Sequence, residues 1–363
     1  MRFILTSRDP SSAIALKNLI LEISVNGEHQ LKLITQSPAS EMLDSVLSDH
    51  VVLNTDNASH EPKEILINSF RTFMPDVLIC GISGPDSGID EIAIEVAKEV
   101  GVPSFAIQSW WGDHNPTCGV LPNTFLVIDQ EASKQTRKRF PEAHCIEVGS
   151  LAHAHYQDLS VRKLISDGVM TERIKSSRPS LCFYGQPLHF LPGYVETVRY
   201  LWSSMESRDI RLLYRPHPKE TSETLKVLAE TIRTSCQVPF NYDTHKSTLQ
   251  SLCSHSLILS YYSTVCIDNI YLNRSSPKVF NRAIYLWIED DLMDWWGRHN
   301  SSLTIPLVDA KIIQTIQRKE DLKHQIMDCL SPHHLERLTT QINTVLDPSD
   351  SPRKSVEAIL AHS

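Results

Sequence analysis

Short apolar runs recur along this chain, each followed by a helical pattern, and the alternation runs through twice. In the first series, strand patterns fall at 3–6, 31–35, 51–54, 76–80, 104–107, 124–128 and 145–148. Helix patterns lie between them at 11–23, 39–47, 62–73, 89–100 and 131–139. A run of four or five apolar residues bounded by turn signals suits a strand covered on both faces, and regular strand–helix alternation is the pattern of a parallel sheet flanked by helices. A polar, charged helix-like segment at 161–174 and the stretch Lys175-Ser176-Ser177-Arg178-Pro179-Ser180 then interrupt it. The pattern restarts with strands at 181–184, 210–214, 238–242, 257–260, 278–280 and 304–308, and from Ala310 onward it reads as mostly helical. At 363 residues the chain exceeds the usual size of a single core, so two α/β domains are expected. Their limits read as 1–158 and 181–345, joined by 159–180, with a last helix in 346–363 packing back on the first domain.

Composition excludes several classes. A formal net charge of -8 gives no support for nucleic-acid binding, and no apolar stretch reaches membrane-spanning length. The amino terminus passes straight from Met1-Arg2-Phe3-Ile4-Leu5-Thr6 into polar residues, too short an apolar run for a signal peptide. Eight cysteines stand singly with no C-x-x-C pair, several of them inside strand patterns, which fits reduced core residues in a cytoplasmic protein. His153 and His155 have only i, i+2 spacing and no nearby Cys or His partners, so no zinc site is expected. The Asn-x-Ser triplets at Asn57, Asn273 and Asn300 carry no meaning in a cytoplasmic chain.

Two stretches concentrate polar chemistry at predicted strand ends. In Arg215-Pro216-His217-Pro218-Lys219-Glu220 the prolines force an extended exit from the strand at 210–214. Arg215, His217 and Lys219 are thereby delivered where open α/β sheets bind ligands, in a setting that suits a phosphate. A loop of solvated charges is the competing account. Further on, the strand at 257–260 ends in Ser260-Tyr261-Tyr262-Ser263-Thr264, whose hydroxyls can open a helix and face an anion, with Asp268 one turn inside it.

Together, Arg-x-His-Pro after one strand and Tyr-Ser-Thr opening a helix with Asp268 resemble the carboxyl-terminal half of GT-B glycosyltransferases. The resemblance is nearest to enzymes with cytidine-activated donors: sialyl- and polysialyltransferases, Kdo transferases and CDP-glycerol glycerophosphotransferases. It implies an α/β architecture of two Rossmann-like domains whose parallel sheets face each other across a cleft. It also implies that His217, Pro218, Ser263 and Thr264 hold the donor nucleotide and its phosphate. Arg215, Lys219, Ser260 and Asp268 join them as donor-site candidates. So do Gly185 and Gln186, where a glycine at a strand end lets a phosphate approach the backbone; a simple turn is the alternative. Pro75 to Gly81, Gly101-Val102-Pro103-Ser104, Val127-Ile128-Asp129 and Val148-Gly149-Ser150 look like the acceptor-side half of the same fold.

Inverting sugar transfer needs a base for the acceptor hydroxyl. Gly81-Ile82-Ser83-Gly84-Pro85-Asp86-Ser87-Gly88 follows a predicted strand and precedes a helix, and Asp86 is the first choice, against a reading in which Asp86 and Ser87 only cap that helix. The segment is neither a P-loop nor G-x-G-x-x-G. Asp113 and His114, in Ser109-Trp110-Trp111-Gly112-Asp113-His114, are reserve bases, and Trp110 and Trp111 are expected to stack on an acceptor sugar unless they form a buried turn. The aromatic cluster Tyr285, Trp287, Trp295 and Trp296 reads as core or interface.

The expected activity is transfer of a sugar from a nucleotide-activated, CMP-linked donor to a glycan or lipid-linked acceptor in bacterial surface polysaccharide synthesis. His217 would stabilise the departing phosphate as a catalytic residue, without a metal or other cofactor. Any contact with the inner face of the plasma membrane is expected to be peripheral. A CDP-alcohol phosphotransferase and an inert GT-B module binding glycan or nucleotide are the alternatives. A nonhydrolysing sugar-nucleotide epimerase shares the fold, but the sequence shows no convincing acid–base pair for one.

Overall fold

A computed structural model describes every residue except 26, 54–60, 85, 116, 118, 176–177, 206–208, 237, 300–304 and 363. The chain divides into two compact units, Met1–His155 with Leu346–Ser363, and Tyr156–Val345.

The first unit is built on a seven-stranded sheet: β1 (Arg2–Ser7), β2 (Gln30–Gln36), β3 (His50–Leu53), β4 (Val77–Cys80), β5 (Ser104–Ile107), β6 (Thr124–Val127) and β7 (Cys145–Glu147). Their spatial order is β3-β2-β1-β4-β5-β6-β7 and every pairing is parallel. The order reverses direction between β1 and β4. At such a switch the two exit loops run to opposite faces of the sheet and leave a crevice at the strands' carboxyl ends. Parallel strands buried on both sides must be apolar on both sides, and Val77–Cys80 and Thr124–Val127 are buried at every position. The helix Ser351–His362 lies in this unit, where Ala358 and Ile359 join Ala13, Leu16 and Ile20 of the helix Pro10–Val25 in one core.

The second unit has six strands: β8 (Ser180–Tyr184), β9 (Arg211–Arg215), β10 (Asn241–Tyr242), β11 (Leu257–Ser260), β12 (Arg282–Leu286) and β13 (Gln314–Ile316). They are ordered β10-β9-β8-β11-β12-β13, again all parallel, and the switch falls between β8 and β11.

Three elements differ from the sequence reading. The strand expected at 278–280 lies a few residues later, at Arg282–Leu286, because Phe280 N–H is taken by Asn273 Oδ1 and Asn273 in turn grips Asn281. A helix, Pro306–Asp309, stands where 304–308 read as a strand; proline suits a helix's first turn, and Thr304 lies outside the described residues. The sheet's last strand, Gln314–Ile316, falls in a stretch that reads as helical. The seven described cysteines are not in disulfides. Asn273 is 1% exposed, whereas Asn57 and Asn300 lie outside the described residues. Among the described residues no helix is long and apolar enough to cross a membrane.

Candidate active site

In the second unit β8 lies between β9 and β11, so the exit loops of the three strands stand side by side. Gly185 and Gln186 leave β8, Arg215 to Glu220 leave β9, and Tyr261 to Thr264 leave β11. A chain of hydrogen bonds links the first two loops. Gln186 N–H donates to the Tyr194 hydroxyl at 2.7 Å, the Tyr194 and Tyr214 hydroxyls are 2.9 Å apart, and Tyr214 donates to Glu220 Oε1 at 2.5 Å. Glu220, with no exposed side-chain surface, also takes His189 Nε2 at 2.5 Å and the main-chain N–H of His217 at 2.5 Å. The Pro-His-Pro loop is therefore wound back on its own glutamate. Only glycine fits beside that carboxylate, since a Cβ at Gly185 would lie 2.4 Å from both Glu220 Oε2 and the Tyr214 hydroxyl.

The half-buried His217 accepts the Lys219 N–H at Nδ1, 3.0 Å away, which leaves the proton of the neutral ring on Nε2. Burial depresses its pKa below that of an ordinary histidine, and Lys219 adds to this against the pull of Glu220. A neutral imidazole with an Nε2–H donor results. Lys219 and Pro218 are exposed. Arg215 points elsewhere: its guanidinium is held by Asp243 at 2.6 Å and by the His245 carbonyl at 3.0 Å, so the expected phosphate contact is replaced by a half-buried ion pair.

Across the switch, Gln186 Oε1 accepts the Tyr262 N–H at 3.2 Å and the Ser260 hydroxyl at 3.4 Å, while Ser260 also donates to the Tyr184 carbonyl at 2.9 Å. Ser260 is thus a buried brace, and only the amide N–H₂ of Gln186 is left to meet a ligand. The loop at the start of the helix Val265–Arg274 is pinned from β12, with Tyr285 donating to the Ser263 carbonyl at 3.0 Å and Trp287 to the Tyr261 carbonyl at 2.7 Å. Ser263 is half-buried and Thr264 exposed, both at that helix's amino end, while the half-buried Asp268 lies within the helix. The Tyr285 and Trp287 rings are core elements, as their composition suggested. Tyr262 stacks on Trp295 at 5.8 Å and meets Trp296 at 4.5 Å.

The first unit gathers its carboxylates at its own switch, between β1 and β4. Asp90, fully buried, accepts Thr6 Oγ1 at 2.7 Å, Arg8 N–H at 3.1 Å and Gly81 N–H at 3.2 Å, tying both strand ends to the helix Ile89–Val100. Burial, with Glu91 beside it, raises its pKa to about 7. Glu91 takes the N–H of Ser83 at 3.0 Å and of Gly88 at 2.8 Å, so the helix start is closed by Gly88 and Glu91 and not by Asp86 or Ser87. Asp86 itself is 79% exposed and paired with Arg8 at 3.2 Å. Asp9, on the other lip, is raised by burial and by Glu91 and Asp86, against Arg8 and the Gly84 N–H.

Asp113, half-buried after β5, has its pKa raised to about 6 by burial and by Asp9 and Glu91, against Arg139. Asn115 knits its loop to the β4 loop, donating to the Ser83 carbonyl at 2.7 Å and the Asp86 carbonyl at 3.0 Å. His114 is enclosed edge-on by Phe125 at 5.4 Å and Phe140 at 5.0 Å, and burial takes its pKa down to about 4. Such a ring is a packing element and a poor base. Trp111 is 1% exposed with its indole N–H on Asp129 at 2.9 Å, which removes it from the acceptor-stacking role; the half-buried Trp110 packs edge-on against it.

Sequence reasoning passed over Arg8 and Asp9, although Ser7-Arg8-Asp9-Pro10 shows the same strand-end signal as Arg215 to Lys219. It also passed over Glu220 and Asp243. No spacing rule marks them, because Glu220 is completed by the distant His189 and Asp243 by Arg215 and His255 from other elements.

No protein-family profile and no curated protein sequence matches the chain. Solved structures do. UDP-GlcNAc 2-epimerase from Neisseria meningitidis, bound to UDP-GlcNAc, superposes with a TM-score of 0.67 at 13% identity over 100% of both chains. UDP-GlcNAc 2-epimerase from Methanocaldococcus jannaschii gives 0.68 at 12% identity, also over 100% of both. MurG from Acinetobacter baumannii gives 0.58 at 9% identity, over 99% of this chain and 100% of its own. These likenesses, with the seven- and six-stranded parallel sheets, show that the chain has the GT-B fold.

Proposed function

We propose that the chain is a glycosyltransferase whose second unit binds a pyrimidine-nucleotide-activated sugar at the carboxyl ends of β8, β9 and β11. The observation that carries this reading is His217: a neutral imidazole, its Nδ1 filled by Lys219 N–H and its loop locked by Glu220, offers Nε2–H at the strand end beside the switch. That group can donate to a phosphate oxygen as negative charge builds on it, and the amino end of the helix Val265–Arg274 adds a favourable dipole. Ser263 and Thr264 at that helix start, Lys219 and the Gln186 amide complete the donor contacts.

For the base we prefer Asp113 to the exposed, ion-paired Asp86. A carboxylate raised to about 6 is ionised at neutral pH yet more basic than an ordinary one, which is the balance general-base catalysis asks for. The cytidine expectation rests on the short His-Pro and Ser-Thr motifs, whereas the epimerase neighbour from Neisseria meningitidis holds a uridine nucleotide. The donor is therefore a sugar linked to a pyrimidine nucleotide, and the acceptor a surface glycan or its lipid-linked precursor.

The epimerase neighbours favour a second reading, in which Asp9 and Asp113, both with raised pKa, act as an acid–base pair on a bound nucleotide sugar. The two readings separate cleanly. Purified protein is incubated with CMP-, CDP- and UDP-linked sugars, with and without oligosaccharide acceptor, and free nucleotide and donor configuration are followed. Acceptor-dependent release of nucleotide supports the transferase. Inversion at a sugar carbon without acceptor, with deuterium taken up there from D₂O, supports the epimerase and overturns the transferase.

A further inference from the structure

The strand β8 presents a polar face where a buried parallel strand is ordinarily apolar. Alternation puts Ser180, Cys182 and Tyr184 on one side of it, with Leu181 and Phe183 on the other, and all five are buried. Ser180 Oγ meets His255 Nδ1 at 3.2 Å, and the Tyr184 hydroxyl meets Ser251 Oγ at 2.6 Å. Into this layer Asp243, just beyond β10, brings a carboxylate whose side chain is 1% exposed. One ligand atom each from Cys182, Asp243 and His255 lies within 4.8 Å of the others. His255 Nε2 is 3.5 Å from Asp243 Oδ1, and His245 Nδ1 contacts the same oxygen closely. The two imidazole rings stand edge to face, 5.4 Å apart.

We propose that Cys182, Asp243 and His255 bind one zinc ion, with His245 turning in from Asp243 as the fourth ligand, as a structural site on the polar face of β8. A thiolate, two imidazoles and one carboxylate oxygen are a four-coordinate zinc set, whereas magnesium and calcium want oxygens throughout. In a tetrahedral site with bonds of about 2.0–2.3 Å, ligand atoms stand roughly 3.3–3.8 Å apart, so Cys182, Asp243 and His255 close by shifts of about an ångström, whereas His245 must also turn its ring inward from Asp243 Oδ1. The dication meets one thiolate and one carboxylate, Cys182 releases its proton to solvent as it binds, and the partly exposed Arg215 remains beside Asp243 as one positive charge. Outer contacts are in place on two ligands. Ser180 occupies Nδ1 of His255, which directs Nε2 inward, and Arg215 holds Oδ2 of Asp243, which directs Oδ1 inward. His245, with 30% of its side chain exposed, is the route by which the ion enters. Four protein ligands leave no open position, so the ion would fix Asp243, and through it Arg215, without touching substrate. The sequence reading expected no zinc from the spacing of His153 and His155; the ligands proposed here are scattered from 182 to 255 and only the sheet brings them together.

Without metal, the same residues form an Arg215–Asp243 ion pair flanked by two histidines, and the experiment separates the two states. Untagged full-length protein, purified without chelator, is assayed for zinc by mass spectrometry and titrated with zinc and with cobalt(II). One tightly held ion per chain is expected, and the cobalt form should show a thiolate-to-cobalt charge-transfer band that Cys182→Ser abolishes. His245→Ala, at the exposed ligand, should keep the wild-type circular dichroism spectrum and lose zinc affinity by roughly tenfold or more. Trace zinc together with no uptake in either titration overturns the proposal in favour of the ion pair. Uptake unaltered by both substitutions overturns it equally, since the ion would then lie elsewhere.

Discussion

The main-chain N–H of His217 donates to Glu220 Oε2 at 2.5 Å, which ties the loop carrying the imidazole to a carboxylate with no exposed surface. All three groups that meet this carboxylate, from His217, His189 and Tyr214, come as donors. Glu220→Gln keeps the shape but turns one oxygen into a donor facing donors. A charge-assisted bond is worth about 1.5–3 kcal/mol, so nucleotide affinity should fall by roughly tenfold or more while the circular dichroism spectrum is kept. Isothermal titration with UDP and CDP checks it.

Gly185→Ala tests the same joint from the other side. Its Cβ would press to 2.4 Å on Glu220 Oε2 and the Tyr214 hydroxyl, both on rigid, buried groups. Overpacking of this kind costs about 1–3 kcal/mol, and the strain falls on the His217 loop. The variant should melt at a lower temperature than wild type and bind nucleotide weakly. Wild-type behaviour on both counts would mean that Glu220 is free to move.

A pH profile tests the base. With the Asp113 pKa raised to about 6, the active form is the ionised one, so kcat/KM should climb as pH rises through about 6 and level off above it. Asp113→Asn should lower turnover by roughly 10²- to 10⁴-fold and remove that limb, with donor affinity nearly unchanged. If Asp86→Asn does this instead, the exposed carboxylate is the base.

Asp90 links ionisation to stability. Its pKa is raised from 3.8 to about 7 on folding, so its protonated form is favoured in the folded state, and the stability this contributes is lost as pH rises from about 4 through 7. Asp90→Asn cannot ionise at that position. The melting temperature of wild type minus that of the variant should therefore shrink between pH 5 and pH 8, and a difference that grew with pH would contradict the account.

Much of the fold was readable because buried parallel strands are short and apolar, and helices between them are bounded by Gly, Pro and hydroxyl residues. Phe3, Leu78, Phe125 and Leu259 all declare themselves in this way. Strands at the sheet's far edge carry less of that signal: two of the three residues Gln314-Thr315-Ile316 are polar, and the strand's place is set by pairing with β12. Site residues divided along the same line. His217, Ser263 and Gln186 stand at strand ends that sequence can locate. The fates of Arg215, Trp111 and His114 depended on Asp243, Asp129 and the Phe125–Phe140 pocket, partners that sequence spacing does not reveal.

If His217 meets the phosphate of a pyrimidine nucleotide, binding of that nucleotide should stabilise the fold through this side chain. Thermal melts of wild type and His217→Ala are compared without ligand and with CMP, CDP, UMP or UDP at saturating concentration. The loop contributes little to the core, so the melts without ligand should coincide within a degree or so. Wild type should then gain several degrees with at least one nucleotide, following the linkage of binding to folding, and the variant should gain far less. Equal shifts in the two proteins, or no shift in wild type with any of the four, would contradict it.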